Sequence, residues 1–152
     1  MLPTPRKIAI VAGAAEGEKK LTAFDKALLA AGIGNLNLIR VSSILPPSCE
    51  YVDRLEIPAG SLTPTAYGAI VSDQPGDLIA AAVAVGFSEA DYGTIMEFSG
   101  HCSAAEAERQ VTAMVHEAFA VRGLTLREVK AASAEIRVER VGAAVAAAVL
   151  WY

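Results

Sequence analysis

The chain has 152 residues, 53% of them hydrophobic and 20% charged, with a formal net charge of −4. That length fits one domain with interior enough to fold alone, and the acidic balance, with no basic run or aromatic-interleaved patch, argues against a nucleic-acid partner. No run of about 18 apolar residues exists to cross a bilayer, Met1 to Lys7 lack a signal-peptide core, and Cys49 and Cys102 read as free thiols of a cytoplasmic protein.

Lys7 to Ala12 is an apolar run that stops at Gly13, which predicts a strand, and Gly13 to Lys20 reads as a loop. Thr22 is a cap for a helix over Ala23 to Ala31, punctuated by Gly32 and Gly34. Leu36 to Val41 reads as a strand with mixed faces, and Pro46 and Pro47 end it. Ser48 to Thr63 is irregular, and Tyr67 to Ser72 is a strand. Asp73 to Asp77 is turn chemistry that delivers Asp77 as the cap of an alanine-rich helix, Leu78 to Val85, closed by Gly86. Tyr92 to Phe98 is a strand. Ser103 and Glu106 form a capping box for a helix to Val121, with Ala107, Val111, Met114, Val115, Ala118 and Phe119 as its core stripe. Leu126 to Val138 and Ala143 to Trp151 are strands that the turn at Glu139 to Gly142 joins as a hairpin. Three helices and six strands without regular alternation predict an α+β fold, with antiparallel sheet sandwiched by helices.

Four positions draw chemical notice. Ser42-Ser43 ends the third predicted element just before Ile44-Leu45-Pro46-Pro47. Glu97 stands between Met96 and Phe98, where apolar surroundings favour a protonated carboxyl. Asn37 is an asparagine in a strand, where that residue is depleted. Asp25 follows Phe24 on the first helix. His101 and His116 have no serine or carboxylate partner by spacing, and neither cysteine has a partner at metal-ligand spacing, so neither a hydrolase triad nor a metal site is expected. The Gly13 to Gly17 loop lacks the Lys-Ser/Thr of a phosphate loop.

The run Gly34 to Pro47 resembles the self-cleavage site of pyruvoyl-dependent arginine decarboxylases. Val11 to Gly17, Leu21 to Asn35, Pro64 to Gly68, Ile95 to Phe98 and Ala147 to Tyr152 are similar to further blocks of that family, in family order and over nearly the whole chain. The resemblance implies a four-layer αββα sandwich. It implies scission between Ser42 and Ser43, giving a small chain (1–42) and a larger one (43–152) whose first residue becomes a covalent pyruvoyl group. It implies that Asn37 assists the cleavage, that Glu97 protonates the substrate's α-carbon, and that Asp25 binds the guanidinium of L-arginine, which is converted to agmatine in polyamine synthesis. One departure is Lys26, where a small residue would serve. The apolar composition and the resemblance together predict a homotrimer or a dimer of trimers, with active sites between subunits. A decarboxylase of another amino acid and an unprocessed binding module are the alternative readings.

Overall fold

Alternation along the strands decides the architecture of the chain, for which a computed structural model describes residues 1–152. In β9 (Gly142–Trp151), Ala144, Ala146, Ala148 and Leu150 enter one buried cluster, and Ala143, Val145, Ala147 and Val149 enter another. A strand covered on both faces is apolar throughout, which explains the unbroken run. β9 is the centre of a five-stranded sheet of order β2-β5-β9-β1-β4, where β1 is Lys7–Glu16, β2 is Asn37–Arg40, β4 is Glu50–Tyr51 and β5 is Leu62–Ser72. A second sheet has the order β3-β7-β6-β8, with β3 at Ile44–Leu45, β6 at Leu78–Ser88, β7 at Gly93–Gly100 and β8 at Leu126–Arg137. All ladders are antiparallel except β1 with β4 and β2 with β5.

Helix α1 (Lys20–Ala30) covers the outer face of the first sheet, through Ala23, Ala27 and Leu28 against the odd-numbered residues of β9. Helix α2 (Ala104–Arg122) covers the outer face of the second, through Ala107, Val111, Val115 and Phe119 against Ala80, Ala82 and Ala84. The inner faces meet in a cluster that holds Ile8, Ala66, Val83, Val85, Ile95 and Leu150. The order is helix, sheet, sheet, helix: the α+β sandwich of four layers. Small residues set the spacing. A Cβ at Gly13 would lie 2.6 Å from the backbone nitrogen of Ala31, and one at Gly17 2.4 Å from that of Ala23. These two glycines serve the close docking of α1 on β1, not a nucleotide.

Three expectations need correction. Leu78 to Val85 is not a helix but most of β6, so there are two helices and nine strands. Ala80, Ala82 and Ala84 lie under α2 while Val83, Val85 and Phe87 point inward, and burial on both faces overrides the helix propensity of alanine. Asp77 therefore caps nothing; its carboxylate accepts the Ser72 hydroxyl at 2.6 Å in the turn between the sheets. β8 and β9 are not a hairpin, because they belong to different sheets. Their connection turns a corner between layers and is held by Glu16, whose Oε1 accepts the N–H groups of Glu139 at 2.6 Å and Arg140 at 3.0 Å.

Smaller differences lie at helix starts. Lys19 is the cap residue of α1, and Thr22 sits inside the first turn, its hydroxyl accepting the Lys19 N–H at 3.0 Å. Ser103 does cap α2, accepting the Glu106 N–H at 3.1 Å, but the Glu106 carboxylate turns to Gln110 and Arg109 instead of closing the box. No helix is long and apolar enough to cross a membrane.

Candidate active site

The chain changes sheets at Ser42-Ser43. Val41 still belongs to the first sheet, its N–H donating to the Thr65 carbonyl at 3.2 Å. Ser43 already belongs to the second, its carbonyl accepting the Ile95 N–H at 2.8 Å. The peptide between the two serines thus spans the gap between the layers and is tied on each side to a different ladder. Ser42 is exposed and Ser43 half-buried. β3 continues from this point, with Ile44 opposite Thr94 and Leu45 opposite Gly93. Pro46 and Pro47 then stop it, since proline cannot donate to a ladder.

Glu97 comes to the same place from β7. Ile95 lies in the inter-sheet core, and side chains two residues apart share a face, so Glu97 also points between the sheets. Extending the β3–β7 register by one residue sets Ser43 opposite Ile95 and makes Glu97 its diagonal neighbour on that face, a separation of about 7–8 Å for such pairs. On the opposing sheet Glu97 meets Gly68, where a Cβ would lie 3.3 Å from its own. Burial pushes the Glu97 carboxyl above the ordinary glutamate range, and the Arg40 charge pulls it partly back. A half-buried acid inclined to keep its proton, beside a serine at a junction between sheets, is equipped for proton transfer to a bound molecule.

The sequence model of the family described as pyruvoyl-dependent arginine decarboxylase (PvlArgDC) matches residues 7–152. The chain belongs to this family. It is 49% identical over 150 residues to a pyruvoyl-dependent arginine decarboxylase of Methanocaldococcus jannaschii, covering 97% of this chain and 91% of that one. It is 52% identical over 151 residues to that of Thermococcus sibiricus, covering 97% and 96%. With that of Pyrococcus furiosus it shares 50% over 152 residues, covering 98% and 96%.

Within one protomer of this family member, Asp25 and Asn37 do not join Ser43 and Glu97. Asp25 is exposed on α1, outside the first sheet, between Leu21 and Leu29 one turn away on either side. Those leucines are 76% and 50% exposed, so the carboxylate sits on an apolar stripe open to a neighbour or a ligand. Asn37 opens β2 at the end remote from Ser43, roughly 10 Å of strand before Arg40. Its amide donates to the Gly60 carbonyl at 2.9 Å and its N–H to that of Ser61 at 3.0 Å. Ile39 of β2, Leu62 of β5 and Ile44 of β3 are also exposed, at 46%, 66% and 42%.

Three residues next to the site had no chemical role in the sequence reading. Arg40, the last residue of β2, places its guanidinium 4.1 Å from the centre of the Tyr67 ring. Tyr67 also meets Phe24 of α1, ring centres 6.4 Å apart. Gly68 follows it and faces Glu97. The available signal was parity: Arg40 falls in phase with the half-buried Leu36 and Leu38, though it is itself exposed at the strand end.

Proposed function

We propose that the chain cuts itself between Ser42 and Ser43 and then decarboxylates L-arginine at the resulting terminus. Pyruvoyl-dependent arginine decarboxylation is the activity of the family to which it belongs. The comparisons give no support to a different amino acid or to a binding module. The residues around Ser43 fit a backbone-derived pyruvoyl group: the bond to be cut is held from both sides, half-buried on the serine side and open to water on the other.

For the cleavage, the Ser43 hydroxyl oxygen attacks the Ser42 carbonyl carbon. The C–N bond breaks as the new C–O ester forms, and the nitrogen takes the proton. Removal of the Ser43 α-proton expels the Ser42 carboxylate from the β-carbon and leaves dehydroalanine, which tautomerises to an imine that water hydrolyses to the pyruvoyl carbonyl and ammonia. Tethering Val41 to Thr65 and Ser43 to Ile95 restricts the freedom of the atoms between, so less entropy is lost on reaching the cyclic intermediate.

Once formed, the pyruvoyl group supplies a carbonyl electron sink for the pair of electrons left by carbon dioxide. Glu97 holds the proton that the substrate α-carbon then needs, on the same inter-sheet face as the buried Ile95. Asp25 offers a carboxylate for the guanidinium, a planar fork of donors that it can bind in two places. Asn37 is assigned to the cleavage step as an amide donor.

Asp25 and Asn37 lie away from Ser43 in one protomer, which supports an active site completed between subunits of a homotrimer, or of a dimer of trimers. The exposed Leu21, Leu29, Ile39, Ile44 and Leu62 give such an interface its apolar area. The free thiols Cys49 and Cys102 fit a cytoplasmic setting.

The observation that carries this reading is the Ser42–Ser43 peptide crossing between sheets beside Glu97. Intact-mass measurement tests it. The parent protein is expected as two pieces, 1–42 and a pyruvoyl-capped 43–152, and Ser43→Ala as one uncut, inactive chain. Normal cleavage in Ser43→Ala ends the reading.

A further inference from the structure

We propose that Ser99 is a positioning residue for Glu97, its hydroxyl locking the two sheets together beside the point where Gly68 and Glu97 meet. The inference rests on the reading of Glu97 as the acid of the decarboxylation.

The lock exists because β2 leaves the first sheet early. Along a strand, backbone carbonyls point alternately to its two sides. Those of Ser61 and Thr65 point toward β2, accepting the N–H groups of Asn37 at 3.0 Å and Val41 at 3.2 Å. The same alternation turns the Ala69 carbonyl to that side of β5. β2 ends at Arg40 and the chain crosses to the second sheet at Ser42-Ser43, so no strand residue stands opposite Ala69 there. A half-buried carbonyl still needs a donor. Ser99 of β7 supplies it, its hydroxyl donating to the Ala69 carbonyl at 3.1 Å. One hydrogen bond thus joins a strand of the second sheet to a strand of the first.

Its place ties it to the acid. Ser99 stands two residues after Glu97 on β7, so both side chains lie on the inter-sheet face. Their register partners on β6, Ala81 and Val83, belong to the inter-sheet cluster. The acceptor, Ala69, directly follows Gly68, where a Cβ would lie 3.3 Å from that of Glu97. Gly68 lets the strands approach at Glu97, and the Ser99–Ala69 bond holds them there. None of the five ion pairs of the chain holds the Glu97 carboxyl, so the strands set its position. Around it β6 brings Val83, β5 Gly68, β3 Ile44 and Leu45, and β9 alanines; α2 packs on the other face of its sheet. Arg40, at the end of β2, is the charged residue that acts on it. The spacing of the sheets therefore governs both where the carboxyl points and how much water reaches it.

The test compares Ser99→Ala and Ser99→Val, which lose the hydroxyl, with Ser99→Thr, which keeps it in the shape of valine. In the self-cleaved proteins, Ser99→Ala and Ser99→Val should lower kcat on the order of tenfold, because small misplacements of a catalytic group are costly. The KM for arginine should stay within about twofold, since the bond serves proton transfer and not binding. Ser99→Thr should keep most of the parent kcat. Parting the sheets also admits water to Glu97, which eases the effect of burial, so the alkaline limb of kcat should move to lower pH in Ser99→Ala and Ser99→Val. A second readout needs neither cleavage nor turnover. In the uncut Ser43→Ala chain, carbon-13 NMR of labelled glutamate should show the Glu97 titration moving down when Ser99→Ala is added and staying in place with Ser99→Thr.

A parent-like kcat, limb and titration in Ser99→Ala overturn the proposal even where the melting temperature falls, because the bond would then serve stability alone. Equal losses in Ser99→Thr and Ser99→Val overturn it as well, since the hydroxyl would not be what matters. Glu97→Gln separates this from the underlying reading. If that variant is inactive and Ser99→Ala leaves kcat and the titration unmoved, the proposal alone fails; if Glu97→Gln turns over normally, the reading of Glu97 fails and the inference falls with it.

Discussion

Gly68 on β5 faces Glu97 on β7 so closely that a methyl group on its α-carbon would stand 3.3 Å from the Glu97 Cβ and 3.5 Å from its Cγ. The two residues belong to different sheets, so the position of the Glu97 carboxyl depends on how the sheets are spaced.

Gly68→Ala should therefore move the acid while sparing the fold. The neighbour must yield by a few tenths of an ångström, and alanine gains back part of the cost because glycine loses more freedom in a strand. The net stability change should be within about 1 kcal/mol. Turnover should drop on the order of tenfold, given that a 1 Å misplacement can cost about 10²-fold. Cleavage into 1–42 and 43–152 should continue. Unchanged kcat in a cleaved Gly68→Ala protein would show that the carboxyl position is not set by this contact.

Glu97 also makes a prediction about stability and pH. Its carboxyl is raised from the ordinary value of 4.5 by burial, so the folded state prefers the protonated form. The stabilisation from that proton is complete below 4.5 and is lost as pH rises through the folded value. Glu97→Gln stays neutral throughout. The melting temperature of Glu97→Gln relative to the parent should rise as pH increases from 4 upward. The gain is modest because the group is only half-buried. A difference that is flat with pH would mean that the carboxyl titrates as if in water.

The layers and the site were legible in the sequence to different degrees, for physical reasons. The α2 boundaries could be read because Ser103 and Gly123 are local signals: a hydroxyl that caps, and a residue at φ 66° that closes. β6 could not, because an alanine-valine run buried on both faces carries no alternation, and only the presence of α2 over Ala80, Ala82 and Ala84 makes it a strand. The β8–β9 corner failed similarly: a tight charged turn joins a hairpin or two layers equally well, and the deciding contact, Glu16, lies over 120 residues away in the chain. Ser43 and Glu97 were picked out by the family resemblance and by the apolar residues flanking Glu97. Gly68 was not, since its significance lies in a contact across the gap between sheets.

The thiols give a prediction independent of catalysis. Burial pushes Cys49 up to about 11 and raises Cys102 as well, with Glu106 and Glu135 adding to the latter. Only the thiolate reacts, so at pH 8 roughly a thousandth of Cys49 is available. Alkylation of Cys49 by iodoacetamide should be ~100-fold slower than that of a free thiol, and should recover in guanidinium chloride. Peptide mass mapping over time reads both rates. Rapid labelling of Cys49 in the native protein would show that its surroundings are wetter than its half-buried position indicates.

Substrate choice is tested at Asp25. Its carboxylate is exposed on α1 with Leu21 and Leu29 on either side, a combination that suits a cation carried on an alkyl chain. Asp25→Asn should still cleave itself, because Asp25 lies in a different layer from the Ser42–Ser43 bond. It should bind arginine less well, because a charge-assisted contact becomes a neutral one. Hydrogen bonds to charged groups contribute roughly 1.5–3 kcal/mol, so KM should rise on the order of ten- to hundred-fold. Citrulline, a neutral analogue of similar shape, gains nothing from the charge, and the variant should lose most of the parent's preference for arginine over it. Steady-state assays of both substrates, with cleavage checked by intact mass, decide the matter. A variant that discriminates as the parent does would move guanidinium recognition to another group, and Asp25 would then be an ordinary carboxylate on the solvent face of α1.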